Sequence, residues 1–363
     1  MMPNMGPRRF YVDKPLLYAL LLLAGLSLII LYSASAKDIN MTISHGVRLL
    51  VGFGVLIGLA QLRPELFERV APWFFGAGLL LLAAVLGAGA ISKGAQRWLG
   101  MGPLRFQPSE IMKLGVPLAL AWYLARGGLP PSWLRIAVSL VATLIPAALI
   151  AKQPDLGTGF LVAITGISVL FLAGLPKRLI FIAFGLFAAA APILWGHMHD
   201  YQRNRILTLL DPEADPLGTG YHTIQSMIAL GSGGWYGKGW LNSSQAHLEY
   251  LPESSTDFIF AVFGEEFGLI GILCAMALYG FIAARALLIA FYAQDTFTRL
   301  LAGGLALGFF IQFFVNIGMV AGILPVVGVP LPMMSYGGSS ILTLMASFGV
   351  LMSIQTHRKI VEF

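Results

Sequence analysis

The chain alternates long apolar runs with short polar segments along nearly all of its 363 residues. A helix needs about 20 apolar residues to cross the hydrocarbon core of a bilayer. The pattern therefore predicts an all-α, polytopic bundle of about ten membrane-spanning helices. The eighth run is longer than a bilayer requires, which predicts that it is tilted or begins outside the membrane. The predicted spans lie near 15–35, 43–62, 70–91, 108–126, 133–152, 157–174, 178–196, 258–291, 297–324 and 336–356.

Composition leads to the same class of protein. Hydrophobic residues make up 57% of the chain and charged residues only 11%, whereas soluble domains carry about 25% charged residues. Soluble fold classes are therefore excluded, and we treat residues 1–363 as a single integral membrane domain. The net charge of +6 is interpreted as a signal for orientation, not for nucleic-acid binding, because basic residues accumulate in cytoplasmic loops.

The distribution of charge predicts the orientation. Lys and Arg are concentrated at both termini and in the short loops on one side, which favours a cytoplasmic N-terminus and C-terminus. The opposite side holds most of the acids and the longest loops, including residues 197–256, where 223–230 could form an amphipathic surface helix. Long loops of unusual composition tend to carry function. We therefore expect an extracytoplasmic site on a multi-pass protein of the cytoplasmic (inner) membrane.

One carboxylate stands where the eighth span begins. Asp257 leads directly into the apolar run that starts at Phe258, and an ionisable residue at the mouth of a span is a functional candidate by default. The structural alternative is that Thr256 caps the helix and Asp257 lies in its first turn. The helix dipole would keep the carboxylate ionised, which suits a base or a metal ligand, whereas burial against Phe258 would oppose ionisation. The sequence leaves this choice open.

Two other polar groups fall at the predicted outer ends of helices. Glu110 and Lys113 are three residues apart behind Pro108 and share a helix face. They form either an intrahelical ion pair that makes a membrane lysine tolerable, or part of a polar cavity in which Lys113 and Arg97 bind phosphate. Asp155 follows a Pro in a short turn and is expected at least to cap the next helix.

Two Gly-rich or Pro-rich segments complete the set of candidates. The segment 231–239 does not match a phosphate-binding loop, because Gly237-Lys238 is followed by Gly239. We expect it to be a flexible loop near the substrate. The segment 316–340 is rich in Pro and Gly, and irregular backbone at membrane depth is tolerated only where it is buried in protein or lines a cavity. It therefore predicts a site between helices.

Together these segments resemble the shape, elongation, division and sporulation (SEDS) family of bacterial membrane proteins, along nearly the whole chain. The most specific match runs from Asn316 through Gly322-Ile323-Leu324-Pro325 to Met333-Met334-Ser335-Tyr336-Gly337-Gly338-Ser339-Ser340. The stretch 324–332 is similar to the rod-shape branch of the family. The resemblance implies a peptidoglycan glycosyltransferase that polymerises lipid II, by an inverting displacement, at the outer face of the membrane during elongation.

The resemblance also implies site residues, a cofactor and partners. Asp257 matches the essential acid and is the expected catalytic residue or ligand of a divalent cation, Mg²⁺ or Mn²⁺. The implied partners are a class B penicillin-binding protein (a transpeptidase) and other membrane proteins of the elongation complex. The expected substrate-binding residues are Arg97, Glu110, Lys113, Asp155, Ser335, Tyr336 and Ser339.

One departure and three alternatives accompany this interpretation. Ser255 stands where many relatives have His, which leaves a His–Asp dyad in doubt but not the role of Asp257. The alternatives are a lipid II flippase, the division-type paralogue and a pure scaffold for cell-wall assembly. A transporter should place its polar residues near the midplane between related repeats. In this sequence they cluster at predicted helix ends, and no repeat is apparent.

Overall fold

The structure is a computed structural model dominated by helices. It describes residues 11–88, 90–92, 95–99, 106–176, 178–179, 181–182, 185, 189–190, 192, 195–196, 200–214, 220–247, 250–251 and 253–358. Within these ranges seven helices are long and apolar enough to cross a membrane, and an eighth apolar helix is shorter. The predicted polytopic helical class is confirmed. The predicted span 178–196 falls partly outside the described residues.

The helices follow the predicted spans closely. The seven long apolar helices are α1 (Lys14–Ala34), α2 (Ile39–Ala60), α3 (Pro64–Ala88), α5 (Trp133–Lys152), α10 (Ile259–Phe291), α11 (Thr296–Val320) and α12 (Gly338–Thr356), and the shorter one is α6 (Leu156–Leu172). Helix α4 (Pro108–Ala125) occupies the place of the fourth predicted span. Between the sixth and the tenth, the chain forms α7 (Asp200–Leu210), a 3₁₀ turn (Pro212–Ala214), α8 (Tyr221–Ser232) and α9 (Ser244–His247). The predicted helix at 223–230 is therefore confirmed within α8.

Acidic caps fix where several helices begin. Asp13 accepts a hydrogen bond from Leu16 N at 3.0 Å, and Asp38 accepts from Asn40 N at 2.9 Å. Asp295 accepts from Thr298 N at 2.9 Å. Each cap satisfies a backbone N–H that the helix itself leaves without a partner. Four of the acids that punctuate this apolar chain, counting Asp155 below, thus set helix boundaries.

One end of the bundle collects the long connections, and we call it the hairpin end. It holds a short antiparallel hairpin of β1 (Ala90–Ser92) and β2 (Ala95–Trp98) between α3 and α4, which the sequence did not predict. Ser254, in the segment before α10, donates to Ala34 O at the end of α1 at 3.0 Å. The α5–α6 turn and the segment between α11 and α12 lie at the same end.

The long helix α10 is broken at Gly268, where φ is +64° and ψ is −166°. The segment 233–239 fills the break with backbone hydrogen bonds. Gly239 N donates to Glu266 O at 3.0 Å, and Leu269 N donates to Gly234 O at 2.9 Å. The excess length of the eighth predicted span is therefore a short helical piece, 259–267, that precedes the break. The expectation of a flexible loop at 231–239 was wrong, because its backbone is pinned into this helix.

Two acids inside α10 hold the same loop. Glu265 is fully buried and binds Lys238 Nζ at 2.6 Å and Ser244 Oγ at 2.7 Å. Glu266 is also buried and accepts a hydrogen bond from Ser33 of α1. The sequence analysis assigned neither acid a role. They instead satisfy buried polar groups that join the loop and α1 to the first piece of α10.

Candidate functional site

Asp257 lies in the turn that precedes α10, which we call the Asp257 turn (residues 253–258). The helix begins at Ile259 with Phe258 at the N-cap position and no side-chain cap. The structural alternative, in which Thr256 caps the helix and Asp257 lies in its first turn, was therefore wrong. The Thr256 hydroxyl donates instead to Glu253 Oε2 at 2.7 Å. Asp257 is half-buried and precedes the helix by two residues.

The segment between α11 and α12, which we call the strap (residues 325–337), crosses the hairpin end beside this turn. Residues 331–335 are buried, as the sequence predicted for irregular backbone at membrane depth. Three side chains bind strap carbonyl groups: Asn316 Nδ2 binds Val329 O at 2.7 Å, Gln312 Nε2 binds Pro330 O at 3.0 Å, and Tyr279 Oη binds Pro332 O at 2.7 Å. Helices α10 and α11 thus hold the strap in place.

Three consecutive carbonyl groups of the Asp257 turn accept hydrogen bonds from α11 and the strap. Tyr336 N donates to Ser255 O at 2.9 Å. Ser335 Oγ donates to Thr256 O at 2.6 Å, and Asn316 Nδ2 donates to Asp257 O at 2.9 Å. The peptide groups that carry the Asp257 side chain are therefore fixed by residues 59 to 81 positions away in sequence.

The strap also faces the carboxylate itself. Gly328 has φ of +72°, and a Cβ added there would lie 3.4 Å from Asp257 Oδ2. A Cβ added to Gly157 at the start of α6 would clash with Val327 O. Strap residues 327–328 therefore approach both the Asp257 carboxylate and the start of α6, where Asp155 lies.

Asp155 and Arg97 meet in what we call the Asp155 corner (residues 97, 107 and 153–158). The buried Asp155 carboxylate accepts from Gln107 Nε2 at 2.7 Å and from Thr158 N at 3.3 Å. The predicted cap of α6 is therefore confirmed. Arg97 Nη1 lies 3.9 Å from the carboxylate. The guanidinium also donates to Gln153 O at 3.1 Å and to Pro154 O. These two hydrogen bonds stabilise the backbone of the corner.

Glu110 and Lys113 form an ion pair with Nζ 2.8 Å from Oε1. Both side chains are largely buried and line a cavity between α4, α6, α11 and α12. The structure thus combines the two interpretations of this pair, since it is intrahelical and also faces a cavity. The other polar residues that line the cavity are Thr165, Gln312, Ser340, Thr343 and Ser347.

The last three predicted site residues occupy different environments. Ser335 is buried, and its hydroxyl donates to Thr256 O and accepts from Leu331 N. The residue therefore positions the turn. The Tyr336 ring lies under the Arg48 guanidinium, with Cζ 4.4 Å from its centroid. Ser339 lies half-buried in the first turn of α12. Direct contact of these residues with a substrate stays a prediction.

Sequence reasoning did not single out Asn316, Gln107, Arg48 or Glu265. Asn316 appeared only as the first residue of the family motif, yet its amide donates a hydrogen bond to Asp257 O. The available signal was the amide itself, because a fully buried Asn in an apolar helix requires hydrogen-bond partners. Arg48 carried the same kind of signal, as a charged residue within α2.

A histidine from another segment of the chain contacts the Asp257 turn. His222 of α8 stacks on Phe258, with ring centroids 5.7 Å apart and planes 11° apart. Burial lowers the pKa of His222 below 6.5, and the charge of Glu253 partly opposes that shift. A neutral imidazole is therefore favoured beside the Asp257 turn.

The divalent cation stays a prediction. Among the residues that the structure describes, no group of three or more His, Cys, Asp or Glu side chains could hold a metal ion. Mg²⁺ commonly binds one or two carboxylates and takes its remaining ligands from water and substrate phosphates. Asp257 would supply one such carboxylate.

This helical membrane protein, with an acid fixed at one end of its bundle, belongs to the FtsW, RodA and SpoVE family, described as cell cycle proteins, whose model matches residues 14–360. It is 53% identical to the peptidoglycan glycosyltransferase MrdB of Escherichia coli K12, over 98% of this chain and 96% of that protein. It is 35% identical to a probable peptidoglycan glycosyltransferase FtsW of Pseudomonas fluorescens, over 97% and 90%.

Solved structures share the fold. Rod shape determining protein RodA of Thermus thermophilus superposes with a TM-score of 0.73 at 30% identity, covering 98% of this chain and all of that one. A chain from a peptidoglycan synthase complex, described as coordinating polymerization and crosslinking, gives a TM-score of 0.83 at 34% identity, over 95% and 97% of the two chains.

Proposed function

We propose that the chain is an elongation-type peptidoglycan glycosyltransferase that polymerises lipid II into glycan strands. The activity is the one named for the relative that is 53% identical over almost the full length. The lower identity to the FtsW protein, 35%, favours the elongation branch over the division branch. The observation that carries the proposal is the Asp257 turn, in which three hydrogen bonds fix the peptides around an acid at the hairpin end.

The reaction requires one base and one site of positive charge. A sugar hydroxyl of one lipid-linked molecule attacks the anomeric carbon of another, and the lipid diphosphate leaves from the opposite face. A positioned carboxylate near the attacking hydroxyl accepts its proton. Asp257 has this role in our proposal, because its backbone is held while its carboxylate lies outside the helix that follows.

The leaving diphosphate needs cationic partners. Lys113 is the stronger candidate, because it lines the cavity and its neighbour Glu110 keeps it charged and oriented. Arg97 donates to two backbone carbonyls and faces Asp155, so its role is to build the rim beside the substrate. A Mg²⁺ or Mn²⁺ ion held by Asp257 and the diphosphate would supply further positive charge.

The proposed setting is the cytoplasmic membrane, with both termini inside and the hairpin end outside. Distribution of Lys and Arg along the sequence supports this orientation. A class B penicillin-binding protein is the proposed partner, because a polymerase needs a transpeptidase to crosslink its product. The similarity to a chain from a complex that coordinates polymerization and crosslinking supports this pairing.

The decisive experiment is polymerisation by the purified protein. Lipid II with Mg²⁺ or Mn²⁺ is incubated with and without the partner transpeptidase, and glycan strands are resolved on a gel. We expect polymer from the native protein and none from Asp257→Ala, which should keep its thermal melting profile. Normal polymerisation by that variant would exclude Asp257 as the base.

A second measurement separates the enzyme from a transporter. Lipid II flux is followed across the membrane of liposomes that contain either the native protein or Asp257→Ala. Flux that persists in Asp257→Ala, without polymer from the native protein, would support a flippase instead. Polymer with no flux is the result expected for a glycosyltransferase.

A further inference from the structure

We infer that Asn316 is a positioning residue that sets the carboxylate of Asp257 against the strap, an inference that rests on the function proposed above. Asn316 lies in α11, close to the end of the helix at Val320. It belongs to a regular helix, whereas the other two groups that bind the turn, Ser335 and Tyr336, belong to the strap. It is thus the link between a rigid helix and the peptide of the acid itself.

The amide uses its donors on two sides. Nδ2 donates to Asp257 O at 2.9 Å and to Val329 O at 2.7 Å. The side chain is fully buried, and its Oδ1 has no hydrogen-bond partner among the described residues. Burying an amide oxygen without a partner costs free energy. The residue is therefore suited to this place through its NH₂ group, which a carboxylate or an alkyl side chain does not provide.

The two acceptors show what the amide controls. Val329 is the neighbour of Gly328, whose backbone faces Asp257 Oδ2. One NH₂ group therefore ties the peptide of Asp257 to the strap segment that its carboxylate faces. If the amide is lost, the distance between the Asp257 peptide and the strap is no longer fixed. The carboxylate can then move relative to the hydroxyl of the acceptor sugar. A misplacement of about 1 Å can cost about 100-fold in rate.

A purely structural role would give a different result, and Tyr279 provides the matched control. Tyr279 is also fully buried, and its hydroxyl donates to Pro332 O of the same strap at 2.7 Å. None of its described hydrogen bonds reaches the Asp257 turn. Tyr279→Phe thus removes a comparable buried bond to the strap and leaves the bonds to the turn intact.

The experiment compares N316L, N316D and Y279F with the native protein in the lipid II polymerisation assay. We expect both Asn316 variants to lower kcat about 10- to 100-fold, with KM changed less than about threefold. Y279F should keep kcat within about threefold, although its melting temperature falls as much as that of N316D. N316D preserves shape, so it carries the test if N316L does not fold.

The pH profile adds a readout that a structural role would not move. A protonated carboxyl regains one donor, so activity of N316D relative to N316L should rise as the pH is lowered. The inference is overturned if Y279F loses as much kcat as N316D, or if the Asn316 variants alter KM alone. Native activity in the Asn316 variants would remove this inference only, whereas an inactive native protein would remove the proposed function as well.

Discussion

The Asp155 corner and the Asp257 turn both border the strap, and each places an acid just before a helix. At Asp155 the carboxylate caps α6 and binds the Gln107 amide, with Arg97 nearby. At Asp257 the following helix takes no side-chain cap, and the hydrogen bonds described above hold the peptides of the turn. One acid is used to build the fold, and the other is held by the fold.

This difference gives a physical criterion for assigning roles to acids at helix ends. A carboxylate whose oxygens accept from a helix N-terminus and from neighbouring side chains has its charge stabilised by the protein. A carboxylate in a turn whose peptides are held by distant residues is instead placed by the fold relative to its surroundings. The criterion assigns architecture to Asp155 and chemistry to Asp257, although both lie in polar turns of similar composition.

The largest expected effect separates the two acids directly. Asp257→Asn should reduce polymerisation by about 10²- to 10⁴-fold, because the amide cannot act as the base. Asp155→Asn should reduce it less than about tenfold, since Asn also caps helices and its Oδ1 still accepts from Thr158 N, although its NH₂ group cannot accept from Gln107 Nε2. The rates are measured at saturating lipid II, with melting temperatures recorded for both variants. Equal losses would mean that the contrast between the two acids is wrong.

The next effect tests the contact between the strap and the carboxylate. Gly328→Ala adds a Cβ 3.4 Å from Asp257 Oδ2, at a φ of +72°. Its matched control is Gly322→Ala, at a φ of +70°, where the new Cβ meets the flexible end of Met227. Both substitutions introduce a similar backbone strain, which destabilises the folded protein by about 1–2 kcal/mol.

Only Gly328→Ala should also lower kcat, by about 10- to 100-fold, because relief of the strain at positive φ moves the strap against the carboxylate that the new Cβ contacts. The measurement is kcat beside the melting temperature for each variant. If the two variants lose activity in proportion to their stability, the strap does not position Asp257.

Local rules explain what the sequence predicted correctly. The three-residue spacing predicted the Glu110–Lys113 pair, and the acid after Pro154 predicted the cap of α6. Each outcome depends on residues within one helical turn of each other, so the spacing alone determines which side chains meet. The helix boundaries near Pro108 and Asp155 follow for the same reason.

The alternative with a cap at Thr256 failed for a local reason, because Glu253, three residues earlier, accepts the hydrogen bond of the Thr256 hydroxyl. Non-local contacts explain the other differences. The break at Gly268 needs the 233–239 loop to satisfy the open backbone groups, and that pairing spans about 30 residues. The hydrogen bonds of Asn316 and Ser335 to the turn join still more distant segments. A single sequence carries no record of such pairings.

A smaller effect compares two cations at the hairpin end. Lys113→Gln removes the charge that lines the cavity and should lower kcat/KM about tenfold, through weaker stabilisation of the diphosphate. Arg97→Gln should change kcat/KM less than about threefold and lower the melting temperature slightly, because a partly exposed pair at 3.9 Å contributes about 0–1 kcal/mol. Inhibition by pyrophosphate, measured for both variants, checks the assignment. Loss of that inhibition in Arg97→Gln alone would mean that Arg97, in the Asp155 corner, makes the phosphate contact.

The smallest effect concerns pH at the Asp257 turn. Burial lowers the pKa of His222 in the folded protein below 6.5, so the folded state favours the neutral ring stacked on Phe258. The stability that this ring contributes is complete above pH 6.5 and is lost as the pH falls through the lowered pKa. The native melting temperature should therefore drop more steeply between pH 7 and pH 5 than that of His222→Gln, which does not titrate. Parallel curves for the two proteins would show that His222 does not couple the Asp257 turn to pH.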